Sequence, residues 1–240
     1  KGVILCDNDE QAIQALQDIM KDRVFGDAGE EVVIEEFLKG EEVSFFALVD
    51  GITVAPLASA QDHKAVHDGD KGPNTGGMGA YSPAPVVTDI LAKEIMVKII
   101  EPTMKGMISE GRPYTGVLFA GLMITEDGPK VLEYNVRFGD PECQVLMARL
   151  NSDVVDAFDA VACGQLNNVK LSWLKQAALI VVMASKGYPG PFEKGTRIRN
   201  LSQADVIDDV TIFHAGTESL DNQLVANGGR VLGVTALGNT

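Results

Sequence analysis

The sequence predicts an α+β fold in which antiparallel strand pairs alternate with amphipathic helices and a strand-rich segment follows. Three observations carry this. Residues 43–49 and 52–57 are strand-formers on either side of Asp50-Gly51, a two-residue turn signal, and so read as a hairpin. Residues 115–124 and 130–135 repeat the arrangement around Glu126-Asp127-Gly128 and should be antiparallel neighbours. From about residue 165 the texture changes to short apolar runs at 177–183, 210–214 and 230–236, separated by Gly187-Tyr188-Pro189-Gly190, Asp221-Asn222 and Asn227-Gly228-Gly229 turn signals.

In chain order, residues 1–5 have strand composition. Asp7 followed by Glu10 has the spacing of a capping box, and Ile13, Leu16, Ile19 and Met20 recur at helical spacing, predicting a helix over 9–22 packed on that strand. Gly26-Asp27-Ala28-Gly29 is a flexible break. Val32-Val33-Ile34 reads as a short buried strand running into the acidic stretch 35–42. Acids beside a buried strand are ordinarily a solvated end. The alternative is that the extended backbone there presents amides and carbonyls to a base edge while Glu42 accepts ribose hydroxyls.

After the first hairpin, Gln61-Asp62-His63-Lys64 leads into residues 68–83, where glycines at 72, 76, 77 and 79 predict a long irregular loop. Its Asn74, Thr75 and Tyr81 favour an ordered polar loop over a linker. No Gly-Lys-Ser/Thr follows the glycines, so it is not a Walker A phosphate loop. Thr88 caps a predicted helix interrupted at Pro102 and resumed to Gly111. Beyond Pro141, Val145, Leu146, Leu150, Val154, Val155 and Phe158 mark one or two helices, with a restart at Ser152 and a stop at Gly164. His214, His63 and His67 have no nucleophile beside them and read as structural or solvated.

The densest stretch is 130–144, KVLEYNVRFGDPECQ. Alternation along a strand puts Glu133, Asn135 and Arg137 on one face while the extension lasts. Oxygen ligands one residue apart suit a hard cation such as Mg²⁺, which keeps waters and usually binds one or two protein oxygens plus substrate phosphates. Arginine one step further on would meet an anion held by that metal. The plainer reading is an edge strand with a solvated polar face. Asp140-Pro141 reads as an N-cap followed by proline at the first helical position.

Composition sets outer limits. The chain has 240 residues, 45% of them hydrophobic and 22% charged, with a formal net charge of −14, which disfavours nucleic acid and anionic membrane as partners. Three scattered cysteines suggest neither a disulfide framework nor a zinc site, and a reducing cytoplasm fits best. No run approaches a membrane span. The absence of an initiator methionine gives the look of a piece cut from a longer chain.

The IEEFLKGEE, QDHK and GPNTGGMGAYSPAP runs, and above all RFGDPECQ at 137–144, resemble the phosphoribosylamine-glycine ligase family, also called glycinamide ribonucleotide synthetases, of the ATP-grasp superfamily. The resemblance covers essentially the whole chain. It implies an ATP-grasp fold, with the remainder of a lid at 1–34, the catalytic core at 35–165 and an incomplete β-rich module at 166–240. It further implies that ATP is met by Lys1 in a mobile lid, by Glu35, Glu36, Phe37 and Leu38 at the adenine and by Glu42 at the ribose, with motion accommodated at residues 26–29. Glu133 and Asn135 would ligate Mg²⁺ or Mn²⁺. Arg137 and Asp140 would be catalytic, and Asp62, Lys64, Asn74, Thr75, Gly76, Gly77, Met78 and Gly79 would bind glycine and 5-phosphoribosylamine. The reaction implied is ATP-dependent joining of these two through a glycyl phosphate in purine biosynthesis, by a cytoplasmic enzyme that is fused to, or acts beside, other purine-pathway enzymes. By the same resemblance an N-terminal α/β domain and the extreme C-terminus are expected to be missing. Two alternatives stand beside it: another ATP-grasp carboxylate-amine ligase, and a non-catalytic ATP-binding fragment.

Overall fold

The computed structural model describes residues 2–69 and 71–239, so Lys1, one of the expected ATP contacts, lies outside the described residues. The chain divides into two units, residues 1–39 and 40–240.

In the first unit the expected helix begins at Asp9. Helix α1 (Asp9–Leu16) continues into a wide π-type turn, Gln17–Lys21. The cap is shifted one residue from the expected Asp7/Glu10 pair: the Asn8 side chain accepts from the Gln11 amide, and the Gln11 side chain accepts from the Asp7 amide. Residues 26–29 form a short 3₁₀ turn. The two strands expected at 1–5 and 32–34 do not form among the described residues. Val3, Val33 and Ile34 are exposed, and among the described residues of this unit no paired strand satisfies their backbone groups. Glu35, Glu36, Phe37 and Leu38 follow in non-regular backbone.

The second unit begins with β1 (Glu41–Asp50), the centre of a four-stranded antiparallel sheet. Its neighbours are β2 (Val54–Pro56) and β5 (Thr115–Thr125), and β6 (Gly128–Asn135) pairs outside β5. Both faces of β1 are covered, which is why its sequence is a nearly continuous apolar run. Val43, Phe45, Ala47 and Val49 pack against Ile95, Ile99, Ile100 and Met104. These last four lie on one helical stretch comprising α2 (Asp89–Ile95), a wide turn Met96–Ile100 and α3 (Glu101–Ser109). Pro102 therefore does not interrupt the helix, because the wide turn just before it takes up the distortion its ring and missing N–H impose. On the other face Phe46 and Leu48 join Phe119, Val145, Leu146, Val161 and Ile180.

The β1–β2 register, Val49 opposite Val54, makes the loop four residues long, not two. The Asp50 carboxylate closes it by accepting the amides of Ile52 (3.1 Å) and Thr53 (2.6 Å), and its other oxygen accepts the Leu166 amide (3.0 Å). Burial alone would raise the Asp50 carboxyl, but the amides of Thr53, Leu166 and Ile52 outweigh it and hold it below the usual value.

The glycine-rich segment differs from expectation. It is strand β4 (Lys71–Ser82), antiparallel to β3 (Gln61–His67), not an irregular loop. Glycines at positive φ, Gly72 (86°) and Gly77 (112°), accompany a pairing whose register slips twice. Pro73 sits where β4 has a strand neighbour on one side only, since β7 (Ala177–Ala184) meets β4 only at residues 79–82. Strands β3, β4, β7, β11 (Arg230–Gly238) and β8 (Val210–His214) form one five-stranded sheet. Three of the strands after residue 165 thus share their sheet with the glycine-rich hairpin. The remaining pair, β9 (Thr217–Leu220) and β10 (Gln223–Ala226), turns through Asp221 and Asn222, both at positive φ.

Helices α4 (Glu142–Arg149) and α5 (Val154–Cys163) cover the shared core. Asp140 does not cap α4. Its carboxylate is paired with Arg230 (2.7 Å), and Pro141 is the cap position with no side-chain cap bond. The cap of α5 is Asp153, accepting from the Val155 amide, because Ser152 is engaged with Ser172. Gly164 ends α5 in the left-handed conformation, as its position predicts. Among the described residues no helix is long and apolar enough to cross a membrane.

Candidate functional site

The polar face is written in the register of the four-stranded sheet. Ser44 of β1 stands opposite Gly121 of β5, which stands opposite Glu133 of β6. The next row on the same face is Phe46, Phe119 and Asn135. One end of the face is therefore carboxylate, hydroxyl and open backbone, and the other is aromatic. Gly121 keeps the polar end open, since a Cβ there would sit 3.2 Å from the Glu133 side chain. A bulge between Gly121 and Leu122 leaves Leu132 out of the pairing and sets the phase that brings Glu133 and Asn135 to this side.

The expected trio is together. Asn135 Nδ2 donates to Glu133 Oε1 (3.2 Å), and Arg137 Nη2 donates to Asn135 Oδ1 (3.4 Å) although β6 ends at Asn135. Arg137 Nη1 is anchored on its neighbour's carbonyl, Phe138 O (2.6 Å). Among the described residues no group of three or more His, Cys, Asp and Glu gathers to hold a metal. Two protein oxygens fit instead a cation whose other positions are filled by water and phosphate, and rotation of the Asn135 amide turns its oxygen toward Glu133.

Lys64 of β3 approaches the same face. Its Nζ is paired closely with Glu42 and lies 4.0 Å from Asp62, and the Glu133 charge also acts on it. Burial would lower the Lys64 ammonium, but Asp62 and Glu42 outweigh it and raise it. Asp62 is itself pushed up, by burial first and by the Glu42 charge, against the pull of Lys64. The Lys64 ammonium is thus paired with Glu42, lies near Asp62 and feels the charge of Glu133.

Glu142 escaped the sequence reading. It is 3% exposed, accepts the Ser44 hydroxyl at 3.0 Å, and is raised by burial and then by the Asp62 charge. One signal pointed to it: Ser44 is the one polar residue within the apolar run of β1; in the structure a Cβ on Gly139 would also overlap the Glu142 carboxylate.

The glycine-rich candidates divide between two surroundings. Thr75 is buried, donates to the Lys64 carbonyl (2.8 Å) and accepts from the Gly77 amide (3.0 Å), and Gly77 lies against the Asp140-Pro141 corner while Gly76 lies against the Arg230 guanidinium. Asn74 pairs opposite Ala65 on β3, whereas Met78 and Gly79 line a cleft with His63, Ala65 and Leu179. Glu35, Glu36, Phe37 and Leu38 belong to the first unit. His214 bonds Thr217 Oγ1 (3.0 Å), a structural role as expected.

The scaffold is α+β with a Glu-x-Asn-x-Arg face on the edge strand of its four-stranded sheet, and comparison with known proteins puts it in the ATP-grasp class. The profile of the phosphoribosylglycinamide synthetase ATP-grasp (A) domain matches residues 1–143, and that of the C domain of the same synthetase matches residues 178–240. The chain belongs to the phosphoribosylglycinamide synthetase family. It is 56% identical to a phosphoribosylamine–glycine ligase of Brucella melitensis over all of its own length and 56% of that protein's. It is 54% identical to the trifunctional purine biosynthetic protein adenosine-3 of Gallus gallus, over 99% of this chain and 24% of that one. The crystal structure of phosphoribosylamine–glycine ligase from Thermotoga maritima superposes with a TM-score of 0.83 at 34% identity, covering 100% of this chain and 59% of the other. The chain therefore spans little more than half the length of these two ligases and about a quarter of the trifunctional protein.

Proposed function

We propose that this chain is the ATP-grasp core, with lid residues before it and C-domain residues after it, of a ligase that joins glycine to 5-phosphoribosylamine, giving glycinamide ribonucleotide, ADP and phosphate in purine biosynthesis. The observation that carries the reading is the Glu133–Asn135–Arg137 face, set beside Lys64, Asp62 and Glu42 in a chain that matches ligases of this name along its whole length.

The chemistry proposed is the one that likeness to ligases of this name implies. A glycine carboxylate oxygen attacks the γ-phosphorus of ATP and ADP leaves, giving glycyl phosphate. The amine of phosphoribosylamine then attacks the acyl carbon, loses a proton, and phosphate departs. No protein nucleophile is needed, so positioning and charge neutralisation supply the acceleration. Glu133 and Asn135 would hold Mg²⁺ or Mn²⁺, which when bound neutralises phosphate charge. Arg137 faces the transferring phosphoryl, and Asp140 with the Asn74 to Gly79 strand lines the place where the two acceptors meet. Glu42 accepts the ribose hydroxyls, and Glu35, Glu36, Phe37 and Leu38 meet the adenine. Exclusion of water protects the acyl phosphate, with residues 26–29 as the hinge of the covering segment. The setting is cytoplasmic, in keeping with three free cysteines. In the chicken relative the matching segment is part of a trifunctional purine biosynthetic protein, and the same kind of association with other purine-pathway enzymes is proposed here.

The test is ADP release by the full-length protein. The reading predicts release that depends on glycine and is stimulated by phosphoribosylamine, and that falls at least 100-fold in Glu133→Ala. ADP release that phosphoribosylamine does not stimulate would assign the site to a different carboxylate-amine ligase. Mg-ATP binding with no turnover in any form would leave a nucleotide-binding fragment.

A further inference from the structure

We propose that Arg230 is a positioning residue for the substrate site, fixing the Asp140 carboxylate and the Gly76-Gly77 backbone in one rigid relation. The inference rests on the ligase reading for the roles of Asp140 and Gly76-Gly77, but its geometry stands without it.

Arg230 opens β11, far along the chain from the stretch that carries the site. Its guanidinium meets both parts at once. Nη2 donates to Asp140 Oδ2 (2.7 Å), and Nη1 is within reach of Asp140 Oδ1 (3.2 Å), Asp140 O (3.0 Å), Gly76 O (2.9 Å) and Gly77 O (3.3 Å). A planar fork makes two parallel bonds to a carboxylate and still has N–H directions left for carbonyls, which a lysine ammonium cannot reproduce in one plane. The Arg230 side chain is 21% exposed, whereas that of Asp140 is 60% exposed. The cation is thus largely enclosed while the carboxylate it orients remains open to a ligand.

The surroundings are shaped to this contact. A Cβ on Gly76 would lie 3.1 Å from Arg230 Cζ, so a side chain there would press on the guanidinium where it lies on the strand. A Cβ on Gly77 would lie 2.5 Å from Pro141 Cδ, so the second glycine seats the Asp140-Pro141 corner. The Gly76 amide donates to the Tyr188 hydroxyl (3.1 Å), and a Cβ on Gly229 would strike the Tyr188 ring. Backbone bonds from Ser185 to Gly229 (2.8 Å) and from Gly216 to Arg230 (2.9 Å) fix the base of the side chain. The glycines at 76, 77 and 229 therefore serve one junction. It ties residues matched by the ATP-grasp domain to residues matched by the C domain.

The test uses the full-length protein in two arms. In the first, amide hydrogen exchange is compared for wild type, Arg230→Ala and Arg230→Lys. The clamp predicts exchange in residues 74–79 and 139–142 faster by about 10-fold or more in Arg230→Ala, with partial recovery in Arg230→Lys and no change in β1 or β5. Unchanged exchange at those residues, or acceleration throughout the chain, overturns it. In the second, turnover with glycine and phosphoribosylamine should fall on the order of 10- to 100-fold in Arg230→Ala. The Mg-ATP dissociation constant should stay within about twofold, because the guanidinium touches neither Glu133 nor Asn135. Adding Arg230→Ala to Asp140→Asn should cost little more, since both remove one contact. Losses that multiply, or a matching loss of Mg-ATP affinity, reject the positioning role. A wild-type enzyme with no glycine-dependent turnover rejects the ligase reading, and the exchange arm then decides the clamp by itself.

Discussion

Phe46 is where the core and the site are most directly coupled, and replacing it with alanine tests that coupling. The ring is 0% exposed, with its centroid 4.6 Å from that of Phe119 and 6.2 Å from that of Phe138. Removing a buried phenylalanine costs about 3–5 kcal/mol, of which the aromatic contacts account for about 0.5–1.5 kcal/mol. At about 2–4 °C per kcal/mol for a chain of this size, the melting temperature should drop by roughly 6–20 °C. Phe119 stands opposite Asn135, and the Phe138 carbonyl anchors Arg137, so the cavity opens directly under the polar face. Urea unfolding followed by far-ultraviolet circular dichroism gives the stability, and the slope against denaturant should match wild type. Phe46→Leu, closer in volume, should lose roughly half as much. A loss below about 1 kcal/mol in Phe46→Ala, or equal losses in the two variants, would refute the idea that this ring organises the shared core.

Three further outcomes follow from single groups. Glu142 is raised by burial and by Asp62, so the folded state holds its proton more tightly than the unfolded one and stability falls as pH rises above the ordinary value of 4.5. Glu142→Gln, which can still accept from Ser44, should melt higher than wild type at pH 7 with the gap closing below pH 4.5, and a gap independent of pH would contradict this. Asp50 is held low by loop amides, so its stabilisation is present above the ordinary value of 3.8 and is lost as pH falls through the folded value. Asp50→Ala should cost about 1–3 kcal/mol at pH 7 by urea titration, with the deficit shrinking in acid. Gly77→Ala, at φ 112° and against Pro141, should cost about 1–2 kcal/mol for the backbone alone, whereas Gly106→Ala, with open space at its Cβ position and in a helix, should be neutral or stabilising.

Much of this architecture is legible in the chain because local pattern and tertiary context agree there. The apolar run of β1, the Thr88 cap and the Gly164 stop each name their own structure. The same holds for β6, where alternation correctly brings Glu133 and Asn135 to one side. The misreadings share a physical cause, which is that the deciding partner is remote. Residues 71–82 look irregular because glycine weakens a strand locally, but β3 and β7 supply the hydrogen bonds that make it one. Pro102 looks like a break until the wide turn before it is seen. Asp140 has the spelling of a helix cap, but Arg230, ninety residues on, takes its carboxylate. Val32-Val33-Ile34 has strand spelling and finds no partner among the described residues. Glu142 was hidden for the opposite reason: an acid near a helix start is ordinary, and only Ser44 across the sheet shows that it is buried.

The central claim is that Glu133 and Asn135 together hold the divalent ion of a nucleotide site. Anomalous diffraction from crystals soaked with Mn²⁺ and ADP tests it most directly. A peak about 2.1 Å from one oxygen of each side chain, with the nucleotide phosphates completing the shell, is the predicted result. A peak elsewhere in the chain, with Glu133 and Asn135 still bonded to one another, would contradict it.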